Sequence, residues 1–183
     1  MKKLFAMSMA LVMSMVMLVG CGGGGGAEAG GGDAGVKGEV YDAGNVSVFV
    51  PEGWLAIPVD DMWAEDGAKD PDQLQLCKGA ESEWDILTCP MVQVVYFGPD
   101  TDMMKPSSQW YDDPADLEPI TAGETTWEGF TATSLDKPMA ILWHGEAGAD
   151  QYQVTLWLEA DEGSISVEDA DVLAILEGIT PSA

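Results

Sequence analysis

Between Cys21 and Val36 nine of the fourteen residues are glycine, and this tract governs what the rest can fold into. Gly22 through Gly35 carries only Ala, Glu and Asp between its glycines, so it has no large apolar group to bury. Glycine loses the most conformational freedom on ordering, and the tract predicts a flexible leash with an r.m.s. span of roughly 20 Å. A phosphate-cradling loop is the rival for a glycine run. Here, however, no strand precedes the glycines, no helix follows, and the Gly-Lys-Ser/Thr ending is missing. The chain therefore divides into a leader over 1–20, a tether over 21–36 and a single domain over 37–183. A domain of about 145 residues is long enough for one real core.

The leader starts with Met1-Lys2-Lys3 and continues as an apolar run from Leu4 to Val19, broken only by Ser8 and Ser14. That run is short for a membrane-spanning helix and ends in small residues, the pattern of a cleaved signal. Leu18-Val19-Gly20-Cys21 resembles the lipobox of bacterial lipoproteins, with Val19 in a place where Ala or Ser is more usual. The resemblance implies cleavage before Cys21 and a diacylglyceryl thioether on its sulfur. Two acyl chains hold a protein on a bilayer where one would not, since each buried methylene contributes about 0.8 kcal/mol. The expected location is the extracytoplasmic side of a cell membrane, reached through the lipid alone.

Charge narrows the partners. Against 32 carboxylates stand seven basic residues, all lysine. With Lys2 and Lys3 lost in the leader, the mature chain has five lysines and a net charge of −27. Such a surface repels phosphates, which excludes nucleic acid as a partner, and repels anionic headgroups, which keeps the domain off the bilayer. Solubility accounts for the acidity in the first instance; a cationic partner or calcium is the sharper alternative.

With Cys21 assigned to lipid, Cys77 and Cys89 are left as an even pair in an exported chain, the setting for a structural disulfide. The bond would close a 13-residue loop and stabilise by about 3 kcal/mol in the chain-entropy model. Neither a Cys-x-x-Cys spacing nor a neighbouring histidine points to redox or metal chemistry.

Strand signals recur along the domain. Val46–Val50 alternates and ends at Pro51-Glu52-Gly53, and Trp54–Pro58 begins a second extended piece. Gln73–Cys77 and Ile86–Cys89 flank a turn, and Met91–Phe97 reads as a central strand buried on both faces. Thr125–Ser134, Ala140–His144 and Gln151–Glu159 complete the set, with short helical turns expected near Asp60–Gly67 and Ser108–Tyr111. The last element reads as a long helix capped by Ser166 with Asp169 three residues on, striped by Val172, Leu173, Ile175, Leu176 and Ile179, and stopped at Gly178. The expected fold class is α+β, a largely antiparallel sheet of six or seven strands covered by this carboxy-terminal helix and one or two short ones.

Val48-Phe49-Val50-Pro51-Glu52-Gly53-Trp54 near the start and Val172-Leu173-Ala174-Ile175-Leu176-Glu177-Gly178-Ile179 at the end together resemble small bacterial lipoproteins with the PsbP-like fold. The likeness covers about 20 residues. It implies an antiparallel sheet with flanking helices and carries no catalytic residues, because fold does not transfer function.

Catalytic raw material is sparse. His144 is the lone histidine and no Gly-x-Ser-x-Gly occurs, so a nucleophile would lack its usual base. Zinc has too few ligands. Carboxylates are plentiful around Asp60–Asp72, Asp100–Asp102 and Asp112–Glu118, but none follows the calcium-loop pattern. No catalytic residue is named, and no cofactor is expected beyond a weak case for calcium. Trp63, Trp84 and Trp110 sit in acidic loops, and Trp110-Tyr111-Asp112-Asp113 is the first candidate patch for a ligand. The sequence thus reads as a non-enzymatic binding or interaction module for a protein or small molecule. A calcium-stabilised structural domain, or less favourably a carboxylate-based envelope hydrolase, is the alternative.

Overall fold

A computed structural model describes residues 35–182. The leader, the lipobox Leu18-Val19-Gly20-Cys21 and nearly all of the glycine tract lie outside the described residues. Thirteen strands and one helix occur in the order β1 (Gly38–Asp42), β2 (Val46–Pro51), β3 (Trp54–Asp60), β4 (Lys69–Lys78), β5 (Met91–Phe97), β6 (Asp112–Asp116), β7 (Ile120–Ala122), β8 (Thr125–Ser134), β9 (Lys137–His144), β10 (Gln151–Trp157), β11 (Glu159–Ala160), β12 (Gly163–Ser164), α1 (Ala170–Glu177) and β13 (Thr180–Pro181). Eight of the strands make one sheet in the order β3-β4-β5-β10-β9-β8-β6, with β7 also on β8; β1, β2 and β13 make a second sheet, and β11–β12 a hairpin.

Period-2 alternation explains the large sheet. Leu76, Val92, Leu156 and Ala140 stand side by side across β4, β5, β10 and β9, and Leu74, Val94, Val154 and Leu142 form the next row. All eight are fully buried, each large aliphatic contributing about 1.5–3 kcal/mol of transfer free energy. Gly129 completes the second row on β8 because a Cβ there would stand 2.4 Å from the Ile141 carbonyl oxygen and 2.6 Å from Leu142 Cδ2. Val46, Val48 and Val50 of β2, with Val172, Ile175 and Leu176 of α1, close over these rows to form the main core.

Among the described residues, the opposite face has no comparable cover. Its rows include Phe130, Ile141, Thr155, Gln93, Gln75 and Ile57, and beside them Ala132, Met139, Trp157, Met91, Cys77 and Leu55. Two small clusters occupy its ends, one around Phe130, Met139 and Ile141, the other around Ile57, Cys77 and Cys89.

The α+β expectation is corrected by this architecture. Half of the described residues are strand and only 11% helical, 3-10 turns included, so the domain is predominantly antiparallel β, and the cover over its core is shared by a three-stranded sheet and one eight-residue helix. The PsbP-like arrangement inferred from the Pro-Glu-Gly-Trp and Ile-Leu-Glu-Gly-Ile phrases gives way with it. The helix is short for a local reason. Asp169 Oδ2 accepts from the Ser166 N–H at 3.1 Å, and the Asp169 N–H donates to the Ser166 carbonyl at 3.1 Å. The cap pair therefore closes a separate turn, and the helix begins only at Ala170 with Asp169 as N-cap. Ile86-Leu87 is likewise not strand but a 3-10 turn over Glu83–Leu87, because the Asp85 carboxylate takes the backbone N–H groups of Glu81 and Ser82, each at 2.9 Å.

Candidate functional site

The patch picked out in the sequence does not converge. Trp110 ends a 3-10 turn with its side chain 68% exposed. Tyr111 turns the other way, onto Phe130, with ring centroids 5.6 Å apart. Asp112 and Asp113 lie on β6, an edge strand exposed throughout, with Asp113 in a left-handed conformation where the register slips. Trp63, in a loop, and Trp84, in the 3-10 turn Glu83–Leu87, are both exposed. Among the described residues, no three His, Cys, Asp or Glu side chains gather as a metal could use them. Several loop carboxylates instead hold their own neighbourhood: Asp72 accepts from Asn45 at 2.9 Å and Asp70 from Gln73 at 2.6 Å.

Cys77 and Cys89 are both buried and share the cluster at Ile57, where they stand as two free thiols. Burial pushes the Cys77 thiol up to about 11 and is the main cause of the upward shift of Cys89, whose sulfur lies 3.8 Å from Glu162 Oε2. A buried thiol of this kind is a poor nucleophile.

A concave site lies elsewhere, at the end of the large sheet on its core side. Thr125 and Trp127 from β8, His144 from β9, Ala149 and Asp150 from the β9–β10 hairpin, Tyr152 from β10 and Ile179 beyond α1 enclose a cleft of about 350 Å³. Antiparallel register brings these residues together: Tyr152 pairs with His144, and the Trp127 ring lies 5.7 Å from the His144 ring and 6.4 Å from Tyr152. Gly145 permits the hairpin. Its φ is +106°, and a Cβ would fall 2.4 Å from the Asp150 carbonyl oxygen. Gln151, 4% exposed, anchors the returning strand by donating Nε2–H to the Thr101 carbonyl at 3.1 Å.

The polar groups of the cleft are unequally satisfied. Tyr96 donates its hydroxyl to Asp150 Oδ1 at 2.6 Å; this bond first, and burial second, pushes the Tyr96 phenol up to about 12. Tyr152 is shifted upward as well, by burial and then by the Asp150 charge. His144 Nδ1 lies 2.9 Å from the Thr126 carbonyl. A carbonyl only accepts, so Nδ1 carries the proton. The Trp127 side chain is 1% exposed, and its Nε1–H finds no partner among the described residues.

None of this was legible beforehand. Trp127, His144 and Tyr152 were visible as strand residues, but their meeting depends on the β8–β9–β10 register, which no local pattern encodes. The nearest signal was the Trp143-His144-Gly145 break, which marks a strand end carrying a histidine.

No protein-family model matches the chain, and no curated protein matches it. A solved structure from Bacteroides thetaiotaomicron VPI-5482 is similar over 80% of this chain at 7% identity, with a TM-score of 0.45. The chain spans about half of that structure's length, 49%.

Proposed function

We propose that the mature chain is a lipid-anchored, extracytoplasmic, non-catalytic binding module that takes a small solute into the cleft at Trp127, His144, Asp150 and Tyr152. The cleft of about 350 Å³ at the sheet end, lined by Thr125, His144, Asp150 and Tyr152, carries this reading. The cleft volume is at the small end of the range for ligand sites, which favours a compact solute over a polymer. Its walls mix apolar and polar side chains, the usual composition of such sites. Anchoring rests on the lipobox Leu18-Val19-Gly20-Cys21 and the glycine leash, which together would hold the domain near the membrane and let it sample the adjacent volume.

Thermal shift against panels of sugars, amines and short peptides tests the cleft. One class should raise Tm in the native protein and not in Thr125→Trp, whose larger side chain occupies the space. Equal shifts in both proteins, or no shift with any class, would sink the reading. Incorporation of labelled fatty acid, abolished by Cys21→Ser, tests the anchor separately.

A further inference from the structure

The large sheet has a second face, turned away from the core and from the cleft. We infer that this face binds an uncharged polysaccharide, laid across β4, β5 and β10. Its two rows, from Phe130 to Ile57 and from Ala132 to Leu55, contain no charged residue. In the next row the one charge is Glu128, whose Oε2 already accepts the Trp143 N–H at 2.9 Å and faces Lys105 at 3.5 Å. This is a chain with 32 acids against seven lysines, and a merely solvated face would carry its share of carboxylates. A surface for a basic partner would hold acids, and one for an anionic partner lysines. This face offers neither.

What it offers is amide. Thr155, Gln93 and Gln75 stand side by side, with Gln153 and Gln73 in the row beyond, and all five are part-exposed. Gln93 donates to Gln73 at 3.3 Å and Gln73 to Asp70 at 2.6 Å, while the Gln75 and Gln153 side chains make no hydrogen bond among the described residues. A primary amide presents two donors and an acceptor, the complement of a sugar hydroxyl, which both donates and accepts. Apolar surface for the C–H side of a sugar ring stands beside them, because Trp157 is part-exposed between Met139 and Met91. The flanks carry two further indoles. Trp84, 78% exposed, rides on the turn Glu83–Leu87, whose Ile86 packs into the cluster at Ile57 and Cys77. Trp110, 68% exposed, precedes Tyr111, which packs on Phe130 at the other flank. From β4 to β8 is four strand spacings, about 19 Å, wide enough for a chain of several sugars to lie between two tryptophans that water alone would leave costly to expose.

Calorimetric titration of the full chain, in a sugar-free detergent, with cellohexaose, mannohexaose, N-acetylchitohexaose and hexagalacturonate tests the face. At least one neutral hexamer should bind, and the anionic one should not. Trp84→Ala and Trp110→Ala, both at exposed positions that folding does not need, should each weaken the neutral hexamer about tenfold, the loss of one indole contact. Gln75→Glu, which keeps the shape and adds a charge, should weaken it as well. Thr125→Trp fills the cleft and should change nothing here, so the face and the cleft fail separately. Failure of all three neutral hexamers to bind overturns the inference. Equal binding of hexagalacturonate, or undiminished binding in both tryptophan variants, overturns it too. Decalysine bound by the native chain and lost in the same variants, with no hexamer bound, would give the face to a basic protein instead.

Discussion

Trp54 donates its indole N–H to Asp171 Oδ2 at 3.2 Å, and Lys78 Nζ approaches the same oxygen at 3.2 Å while sitting 5.7 Å from the Trp54 ring centroid. One carboxylate thus links β3, β4 and the first turn of α1. Asp171 also faces the positive end of the helix dipole. Asp171→Ala should cost about 1–2 kcal/mol in urea unfolding, most of it from the orphaned indole. The partly exposed ion pair adds only a few tenths, so salt should change the loss little. A cost below about 0.3 kcal/mol would mean that the three-way link contributes nothing.

Gly145→Ala should destabilise the fold by about 1–3 kcal/mol, because it places a Cβ in a left-handed backbone and against the Asp150 carbonyl. The β9–β10 hairpin carries His144 and Asp150, so the same variant should also loosen any cleft ligand. Gly148→Ala makes the control: its φ is +83° but nothing lies within 4 Å of the added Cβ. It shares the backbone strain without the collision and should leave ligand affinity intact.

Two of the four tyrosines should ionise late. Tyr96 holds its proton up to about 12 through Asp150, and Tyr152 is shifted upward by burial. The folded state binds these protons more tightly than the unfolded one. Their contribution to stability is therefore complete below about pH 10 and is lost as the pH rises through the folded values. Ultraviolet titration should show a late phase that shrinks in Tyr96→Phe; an unchanged late phase would remove the Tyr96–Asp150 bond from the account.

The reduced thiols should resist alkylation. With Cys77 raised to about 11 from an ordinary 9.0, its thiolate fraction at pH 8 falls roughly 100-fold, before any steric protection. Its proton too is held more tightly in the folded state, so its share of stability is full below pH 9 and lost as the pH climbs through about 11. Iodoacetamide should label Cys77 slowly in the native reduced protein and quickly in urea. After oxidation the Cys77–Cys89 pair should form an intramolecular bond, giving up two electrons and two protons to the oxidant. A gain of about 3 kcal/mol over the reduced form is expected. Intermolecular dimers instead would rule that pairing out.

What could be read in advance followed local chemistry. Met91–Phe97, Val46–Val50 and Gln151–Trp157 carry enough β-branched and alternating residues to declare themselves, and they form the centre of the two sheets. β6 could not be read. Asp112-Asp113-Pro114-Ala115-Asp116 has acids and a proline where strand residues are expected, and it is held only by pairing to β8 along the sheet edge. Edge strands tolerate both features because one side of their backbone meets water. The cap of α1 was recognisable as a pair of residues, but not as the turn that shortened the helix. For the site the limit was register: composition marks Trp127 and Tyr152 as core, and only the pairing shows that they share a wall with His144.

β2 receives the chain at both of its ends. β1 meets it with Gly38 opposite Pro51, and β13 meets it with Thr180 opposite Ser47, one residue past the Ile179 that borders the cleft. Ser182 seals the latter end, giving its hydroxyl to Asp42 at 2.7 Å beside the Ser47 hydroxyl at 2.9 Å. Ser47 and Pro51 are about 13 Å apart along an extended strand. A pull on the chain at Gly38 would enter at the Pro51 end of β2, and the seal at Ser182 would bear no load until the β1–β2 ladder yields. The end of β2 beside Ile179 and the cleft is thus the end a strand's length from where such a load would enter.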